Sequence, residues 1–289
     1  MTGSEQRDAL TAWAGAPVTD VEQPTTGGYS SDTSFFTANG RRLVARFPPA
    51  GAGIFPTYDL AQQGDVMRAL VGIVPVPEVV AYVDDPPFLV MERVDGLLAT
   101  DNPPYLRKGW LHDAPPDDQR RVHDAFLRVT AQLHRAVPPD VGLRAGLDAE
   151  IDWWRDYAQF ADADDEQRDR FEKLVGSVPP STAPPSLCWG DMRIPNVIFA
   201  ADFTPLAVLD WELASIGPAE LDIGWYLAIH AQSQATQRAT LPGLRERGDA
   251  IAFYESCLGR ELEALDWYEA FAGLRIELIM NRFMTLLDH

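Results

Sequence analysis

Three residues with oxygen-bearing side chains stand at short, fixed spacings in the second half of the chain. Asp191 follows Gly190, Asn196 comes five positions after Asp191, and Asp210 ends a short apolar run. Phosphoryl transfer needs a carboxylate that accepts the proton of the attacking hydroxyl, and it needs oxygen ligands for magnesium. Magnesium usually takes only one or two carboxylates besides phosphate oxygens and water. The spacing therefore predicts Asp191 as the catalytic base, and Asn196 and Asp210 as metal ligands.

Arg193, inside the same loop, has two interpretations. Its guanidinium could neutralise the transferring phosphoryl group, which would make it catalytic, or it could form a salt bridge that holds the loop. An Asp-x4-Asn pattern alone occurs by chance in many proteins. Here a glycine precedes the aspartate, an apolar hairpin is predicted after the asparagine, and Asp210 ends that hairpin. A structural loop does not need this combination, so the pattern favours a kinase.

Residues 25–32 form a Gly/Ser-rich turn that contains Gly27, Gly28, Ser30 and Ser31. Backbone N–H groups of such a turn can bind phosphates, although an ordinary β-turn is the simpler interpretation of the turn alone. Arg46, near the end of the next predicted strand but one, could reach the α- and β-phosphates of ATP. A solvated arginine at a strand end is the alternative.

Two lobes are expected, in an α+β fold of the protein-kinase-like kind. Strand-prone runs on both sides of Asn39-Gly40 predict a hairpin, and residues 58–71 have the apolar spacing of a helix. Residues 1–95 should form the nucleotide-binding lobe, which consists of an antiparallel sheet with one inserted helix. Residues 96–289 should form a larger, mainly helical lobe with the catalytic loop, metal site and acceptor pocket. A hinge is predicted at residues 92–96, where the backbone of Glu92 and Val94 would bond adenine.

A helix predicted over residues 148–160 combines aromatic and acidic side chains. Asp152, Trp153 and Asp156 could line a pocket for a cationic or sugar-like ligand, although core packing accounts for the tryptophan at least as well. Glu212, two residues after Asp210, is a further candidate contact to the acceptor.

Composition narrows the class of protein. The net charge of −19 argues against nucleic acid and anionic membranes as partners. It is compatible with a cationic substrate, and solubility explains it equally well. The chain contains no apolar run near the roughly 18 residues of a membrane span. Cys188 and Cys257 form no CxxC pair, which favours a reducing, cytoplasmic location without structural zinc. The sequence leaves the oligomeric state open.

With these motifs, the chain resembles the aminoglycoside phosphotransferase family of protein-kinase-like small-molecule kinases, over roughly residues 20 to 235. Within that family it is most similar to the mycobacterial and acyl-CoA-dehydrogenase-associated phosphotransferase-like group. The matching stretches are Gly27-Gly28-Tyr29-Ser30-Ser31-Asp32-Thr33, Phe88-Leu89-Val90-Met91-Glu92, Gly190-Asp191 with Asn196, Leu209-Asp210-Trp211-Glu212 and Gly217-Pro218-Ala219-Glu220-Leu221-Asp222-Ile223-Gly224-Trp225.

The resemblance implies a two-lobed kinase-like fold, ATP with Mg²⁺, and transfer to a hydroxyl of a small molecule. It also implies that Asp222 braces the catalytic loop and that C-terminal helices, with Glu277 among their residues, enclose the acceptor site. Two positions depart from the family. Trp189 replaces the histidine that usually precedes Gly-Asp, which should change how the loop is supported. Gln63 stands where a helix glutamate usually pairs with the strand cation, and Asp59 is the expected substitute.

Two rival functions follow from the same residues. A nucleotide-binding pseudokinase would bind ATP without transfer, and Gln63 is its support. A magnesium-dependent hydrolase could use the same acids, but it would not need the Gly/Ser turn and the sheet of a nucleotide cleft. The leading prediction is an ATP- and magnesium-dependent kinase that acts on an alcohol.

Overall fold

The computed structural model describes residues 1–23 and 32–287. The predicted Gly/Ser turn, with Gly27, Gly28, Ser30 and Ser31, lies outside these described residues. The α+β class is confirmed: a five-stranded antiparallel sheet precedes a mainly helical remainder. The division at residues 95 and 96 stays a prediction.

The helices of the described residues are α1 (Gly3–Ala14), α2 (Leu60–Leu70), α3 (Trp110–Asp113), α4 (Pro116–Arg135), α5 (Leu147–Phe160), α6 (Asp165–Val175), α7 (Glu220–Gln237), α8 (Arg247–Leu258) and α9 (Leu265–Leu287). The strands are β1 (Thr19–Glu22), β2 (Asp32–Ala38), β3 (Arg41–Phe47), β4 (Val79–Asp84), β5 (Pro87–Glu92), β6 (Leu97–Leu98), β7 (Ser186–Cys188), β8 (Val197–Phe199), β9 (Pro205–Val208) and β10 (Ser215–Gly217).

The first five strands form one antiparallel sheet in the order β1-β2-β3-β5-β4. The predicted hairpin is confirmed, since Ala38 pairs with Arg41 across Asn39 and Gly40. Both turn residues have positive φ, 50° and 76°, as a two-residue hairpin turn with the right twist requires. The inserted helix is also confirmed as α2, which is three residues shorter than the predicted 58–71 because Asp59 caps its N-terminus.

Two small sheets frame the catalytic loop. Strand β7 enters the loop and pairs with β10, and its three residues are buried. Strand β8 leaves the loop, after a 3₁₀ turn at Ile194–Asn196, and pairs with β6 and β9. Residues 189–196 are therefore held at both ends by backbone ladders. Asp210 follows β9 after one residue, Leu209, so the second sheet also carries Asp210 to the loop.

Helices α7 and α9 pack closely at Gly224. A Cβ atom built on Gly224 would lie only 2.8 Å from the carbonyl carbon of Tyr268 on α9. Real Cβ atoms do not approach backbone this closely, so any larger residue must push the two helices apart. Among residues 1–23 and 32–287, none of the helices combines the length and the hydrophobicity that a transmembrane span requires.

We expect Gly224→Ala to lower the free energy of unfolding by about 1–3 kcal/mol because of this overlap. Gly273→Ala is the matched control, since Gly273 also lies inside a helix and a Cβ there would meet nothing within 4 Å. The control should raise stability by about 0.5–1 kcal/mol through helix propensity. Urea denaturation of both variants measures the difference, and equal stabilisation by the two alanines would contradict the close approach.

Candidate active site

The catalytic loop turns at Gly190, where only glycine fits. Its φ is 87°, and a Cβ atom on it would lie 2.3 Å from the carbonyl oxygen of Leu213. The backbone of Gly190 therefore packs directly on the segment that follows Asp210. This close approach brings Asp191 towards the predicted metal ligand.

Asp222, buried on α7, holds the backbone of the loop as the resemblance implies. Its carboxylate accepts the N–H groups of Trp189 (2.5 Å) and Gly190 (2.8 Å). His134 Nε2 lies 2.8 Å from Asp222 Oδ2, and the other ring nitrogen of His134 contacts the hydroxyl of Tyr254. His134 thus stabilises Asp222, which in turn holds the loop.

The carboxylate of Asp191 is fixed on both oxygens. Oδ2 accepts from Asn196 Nδ2 at 2.8 Å, and Oδ1 accepts from the indole N–H of Trp225 at 2.9 Å. Arg193 Nε lies 2.8 Å from Oδ1. Burial raises the pKa of Asp191, and the positive charge of Arg193 offsets this only in part. A raised pKa makes a carboxylate a better proton acceptor once it is ionised.

Asn196 is oriented as a metal ligand would need to be. Its Nδ2 donates to the carbonyl oxygen (3.1 Å) and to Oδ2 (2.8 Å) of Asp191. Both amide hydrogens are thereby directed at one residue, and the side-chain oxygen of Asn196 is left for another partner. The same amide thus links the predicted base to the predicted metal site.

Asp210 lies at the end of β9 with a φ of 67°, a left-handed conformation that aspartate adopts more readily than most residues. Its Oδ1 accepts from Arg46 Nη2 at 2.8 Å. The described residues contain no group of three or more His, Cys, Asp or Glu side chains that could hold a metal ion. The donor set of Asn196 and Asp210 fits magnesium, which relies on phosphate and water for its other ligands.

Trp189, in the position of the usual histidine, ties the loop to Asp210. It is fully buried, and its indole N–H donates to the carbonyl oxygens of Leu209 (2.7 Å) and Asp210 (3.1 Å). An indole N–H thus connects the two predicted catalytic segments, and how this support differs from that of a histidine stays a prediction.

The expected role of Asp59 is wrong. Its carboxylate accepts the N–H of Gln62 at 2.8 Å as the N-cap of α2. Arg46 instead lies 2.8 Å from Asp210 and 3.8 Å from Glu212. Gln63 is buried, and its side-chain oxygen makes no hydrogen bond within the described part of the chain. The carboxylates near Arg46 thus come from the segment after β9.

Arg193 forms the salt bridges that one of its two interpretations predicts. Besides Asp191, it contacts Asp101, with 2.7 Å between Nη1 and Oδ2.

At the predicted hinge, the N–H of Glu92 donates to the Glu78 carbonyl at 2.9 Å, and the side chain of Glu92 pairs with Arg41. The N–H of Glu92 is therefore not available to adenine, and a bond of adenine to the Glu92 carbonyl or to the backbone of Val94 stays a prediction.

The predicted acceptor contacts fall into two groups. Asp152 and Asp156 are exposed on α5, and Asp152 pairs with Arg155. Glu277 accepts from Gln167 at 2.8 Å and pairs with Arg170, so it stabilises the contact of α6 with α9. These three carboxylates are not brought to the catalytic loop by any described contact.

Glu212 and Trp153 differ in their surroundings. Glu212 lies 3.8 Å from the guanidinium of Arg46. Trp153 stacks on the buried Tyr157, with 5.4 Å between ring centroids, and no described contact joins it to the catalytic loop. The acceptor role of both residues stays a prediction.

Trp225 is the functional contact that the sequence did not reveal. Trp225 ends one of the stretches that resemble the family, and the sequence gives no sign of its contact with Asp191. Trp225 lies three residues after Asp222 on α7, so the two side chains leave the helix on one face. A helical reading of that stretch gives this face but not the indole's target.

The model of the phosphotransferase enzyme family matches residues 21–255 of this chain. The chain is 25% identical over 281 residues to acyl-CoA dehydrogenase family member 10 of Mus musculus; the match covers 88% of this chain but only 25% of that relative. It thus spans about a quarter of that curated relative's length.

Solved structures show the same fold. A candidate aminoglycoside phosphotransferase from Ralstonia eutropha matches with a TM-score of 0.73 and 24% identity, over 97% of this chain and 89% of the other. A thermostable mutant of the aminoglycoside phosphotransferase APH(4)-Ia, in a ternary complex with ADP and hygromycin B, matches with a TM-score of 0.60 and 17% identity, over 98% and 92% of the two chains.

We expect Asp222→Asn to lower the free energy of unfolding by about 2–4 kcal/mol, because the amide leaves one of its N–H groups against a buried donor. Thermal or urea denaturation measures the loss. Asp165→Asn is the control, since that side chain is 97% exposed, and it should change stability by less than about 0.5 kcal/mol. A fully stable Asp222→Asn variant would show that the loop does not depend on this brace.

Proposed function

We propose that this chain, which belongs to the phosphotransferase enzyme family, transfers the γ-phosphate of ATP to a hydroxyl group of a small molecule with the help of magnesium. The observation that carries the proposal is the double hydrogen bond from the amide of Asn196 to Asp191. One side chain thereby holds the base and leaves its own oxygen for a metal. A loop with only a structural role has no need of this arrangement.

The proton of the acceptor hydroxyl is assigned to Asp191 Oδ2. A carboxylate oxygen can accept two hydrogen bonds, and Oδ2 receives one from a described residue, Asn196. Oδ1 already has the Trp225 indole and Arg193 Nε as neighbours. Oδ2 is therefore the atom with room for the acceptor, and it takes the proton as the hydroxyl oxygen attacks the phosphorus.

Two arginines supply positive charge to the phosphates. Arg46 on β3 lies 2.8 Å from Asp210, and Arg193 in the catalytic loop lies 2.8 Å from the carboxylate of Asp191. Asn196 and Asp210 would hold the magnesium ion. When it is bound, Mg·ATP supplies the phosphoryl group that is transferred.

The acceptor is proposed to be an alcohol, with aminoglycoside-like molecules among the candidates. The similar APH(4)-Ia structure holds ADP and hygromycin B, and the net charge of −19 suits a cationic acceptor. Trp153, which is half-buried and stacks on Tyr157, would offer such an acceptor an aromatic face.

The second candidate is a nucleotide-binding protein without transfer activity, and Gln63 favours it. The glutamine leaves α2 without a carboxylate for Arg46. However, Asp210 and Glu212 already lie within 4 Å of that guanidinium, at 2.8 and 3.8 Å. Arg46 thus has counter-charges that do not depend on α2, which supports transfer.

Incubation with γ-labelled ATP, magnesium and a panel of hydroxylated acceptors tests the proposal. We expect labelled product, its loss on magnesium chelation, and a fall in kcat of at least about 100-fold in Asp191→Asn, because the base is removed while the metal ligands remain. Asp210→Asn should in addition weaken magnesium-dependent ATP binding.

Asp165→Asn, the exposed control, should keep wild-type kcat. ATP binding with no labelled product from any acceptor would overturn transfer and favour the second candidate.

A further inference from the structure

Trp225 gives the catalytic loop a contact that lies outside the Gly-Asp and Asn motif. The residue is buried on α7, with 3% of its surface exposed. Its indole N–H donates to Asp191 Oδ1 at 2.9 Å. A carboxylate–donor hydrogen bond of this length is of the strong, charge-assisted kind.

The indole is the well-directed donor on this oxygen. Arg193 Nε lies at a similar distance, 2.8 Å. However, the direction of that N–H does not meet the geometry of a hydrogen bond, and Arg193 also binds Asp101. The torsion that rotates an aspartate carboxylate is broad and weakly restrained by itself. Trp225 together with Asn196 therefore sets the plane of the Asp191 carboxylate.

The indole ring is itself held from behind. The guanidinium of Arg275 on α9 lies 4.8 Å from the Trp225 ring and 4.6 Å from the Trp154 ring, between two aromatic side chains. Arg275 is 1% exposed. Its countercharge is Glu150, at 3.7 Å, which in turn accepts from Arg144 Nε at 2.6 Å. A cation packed between rings in this way restricts the tilt of Trp225.

One face of α7 serves both the backbone and the side chain of the loop. Asp222 binds the N–H groups of Trp189 and Gly190, and Trp225, three residues later, binds the carboxylate of Asp191. Residues three apart lie on the same helix face. The position of α7 therefore fixes where the base sits and how it is turned.

We infer that Trp225 is a positioning residue of the proposed phosphoryl transfer: its indole N–H turns the Asp191 carboxylate so that Oδ2 faces the acceptor hydroxyl. The inference rests on the proposed function. It assigns the N–H group a role separate from the packing of the ring, and so the two can be tested apart.

The test removes the donor and keeps the ring. Trp225→Phe deletes the N–H and part of the ring, and replacement of Trp225 by benzothienylalanine deletes the N–H with the bicyclic shape retained. We expect kcat to fall about 10- to 100-fold, the equivalent of one hydrogen bond to a charged group. The KM for ATP and the dissociation constant of ADP should stay within about twofold, because no nucleotide contact is altered.

Trp110 provides the matched control. Its indole N–H is buried and has no hydrogen-bond partner in the described part of the chain, and its ring packs on Phe199 and Phe203. The same two replacements at position 110 should leave kcat unchanged. They report what the loss of an idle indole N–H does to the protein.

Activity is measured as ADP release from Mg·ATP with the best acceptor of the panel, or with water where no acceptor is found. An active wild type whose benzothienylalanine variant at 225 keeps full kcat would overturn the inference and leave the proposed function standing. A benzothienylalanine variant in which ADP affinity and melting temperature fall together with kcat would also overturn it, since such a result indicates a role in packing alone. A wild type that releases no ADP under any condition removes the proposed function and this inference with it.

An NMR measurement reads the contact without activity. The chain has 8 tryptophans, and the indole ¹H–¹⁵N signal missing from Trp225→Phe identifies residue 225. In the wild type this proton should resonate downfield, and in Asp191→Ala it should move upfield, because the accepting carboxylate is gone. A signal that Asp191→Ala leaves unmoved would overturn the inference.

Discussion

The site depends on the buried carboxylate of Asp222, which binds the backbone of the catalytic loop. Asp222 makes no contact with the proposed reacting groups; it accepts backbone N–H groups from Trp189 and Gly190 and is held by His134. A buried charge is costly unless it is fully hydrogen-bonded, and here its partners come from two separate segments, the catalytic loop and α4. Displacement of the loop would remove the hydrogen bonds of this buried charge. The free-energy cost of such an unpaired charge therefore stabilises the observed position of the loop.

The same principle operates in the packing behind the base. Arg144, Glu150 and Arg275 form a sequence of alternating charges, in which Glu150 and Arg275 are buried and Arg144 is half-buried. Glu150 also accepts the indole N–H of Trp154 at 2.9 Å. Such clusters add little net stability compared with apolar packing, but they tolerate few alternative arrangements. Their value in this fold is geometric, because Arg275 fixes a ring of α7 and Arg144 donates to the carbonyl of Leu213 at 3.0 Å. Both contacts reach residues that touch the catalytic loop, because Trp225 binds Asp191 and the carbonyl of Leu213 lies against Gly190.

How much of this could be predicted follows from the range of each interaction. The Asn39-Gly40 hairpin, the inserted helix and the Asp191–Asn196 pair depend on residues close in sequence, and the sequence predicted them. The partners of Arg46 and the target of Trp225 depend on how distant elements pack, and no local pattern encodes that. Asp59 shows both kinds of error. Helix spacing predicted a long-range pair with Arg46 that does not form, and the local N-cap that its carboxylate does form was not predicted. The acceptor contacts of Asp152 and Asp156 on α5 stay a prediction, since both side chains are exposed and no described contact joins them to the catalytic loop.

Trp189 shows why a departure from a motif need not alter the chemistry. In this chain the side chain of Trp189 reaches the backbone at Leu209 and Asp210, which offers a pair of carbonyl oxygens. An indole N–H satisfies them at 2.7 and 3.1 Å, and the ring fills the space beneath, with 5.9 Å between its centroid and that of Trp211. Unlike a histidine, an indole is always a donor and never titrates near neutral pH. The hydrogen bonds that link the loop of Asp191 to the segment of Asp210 therefore do not depend on the protonation of the side chain at position 189.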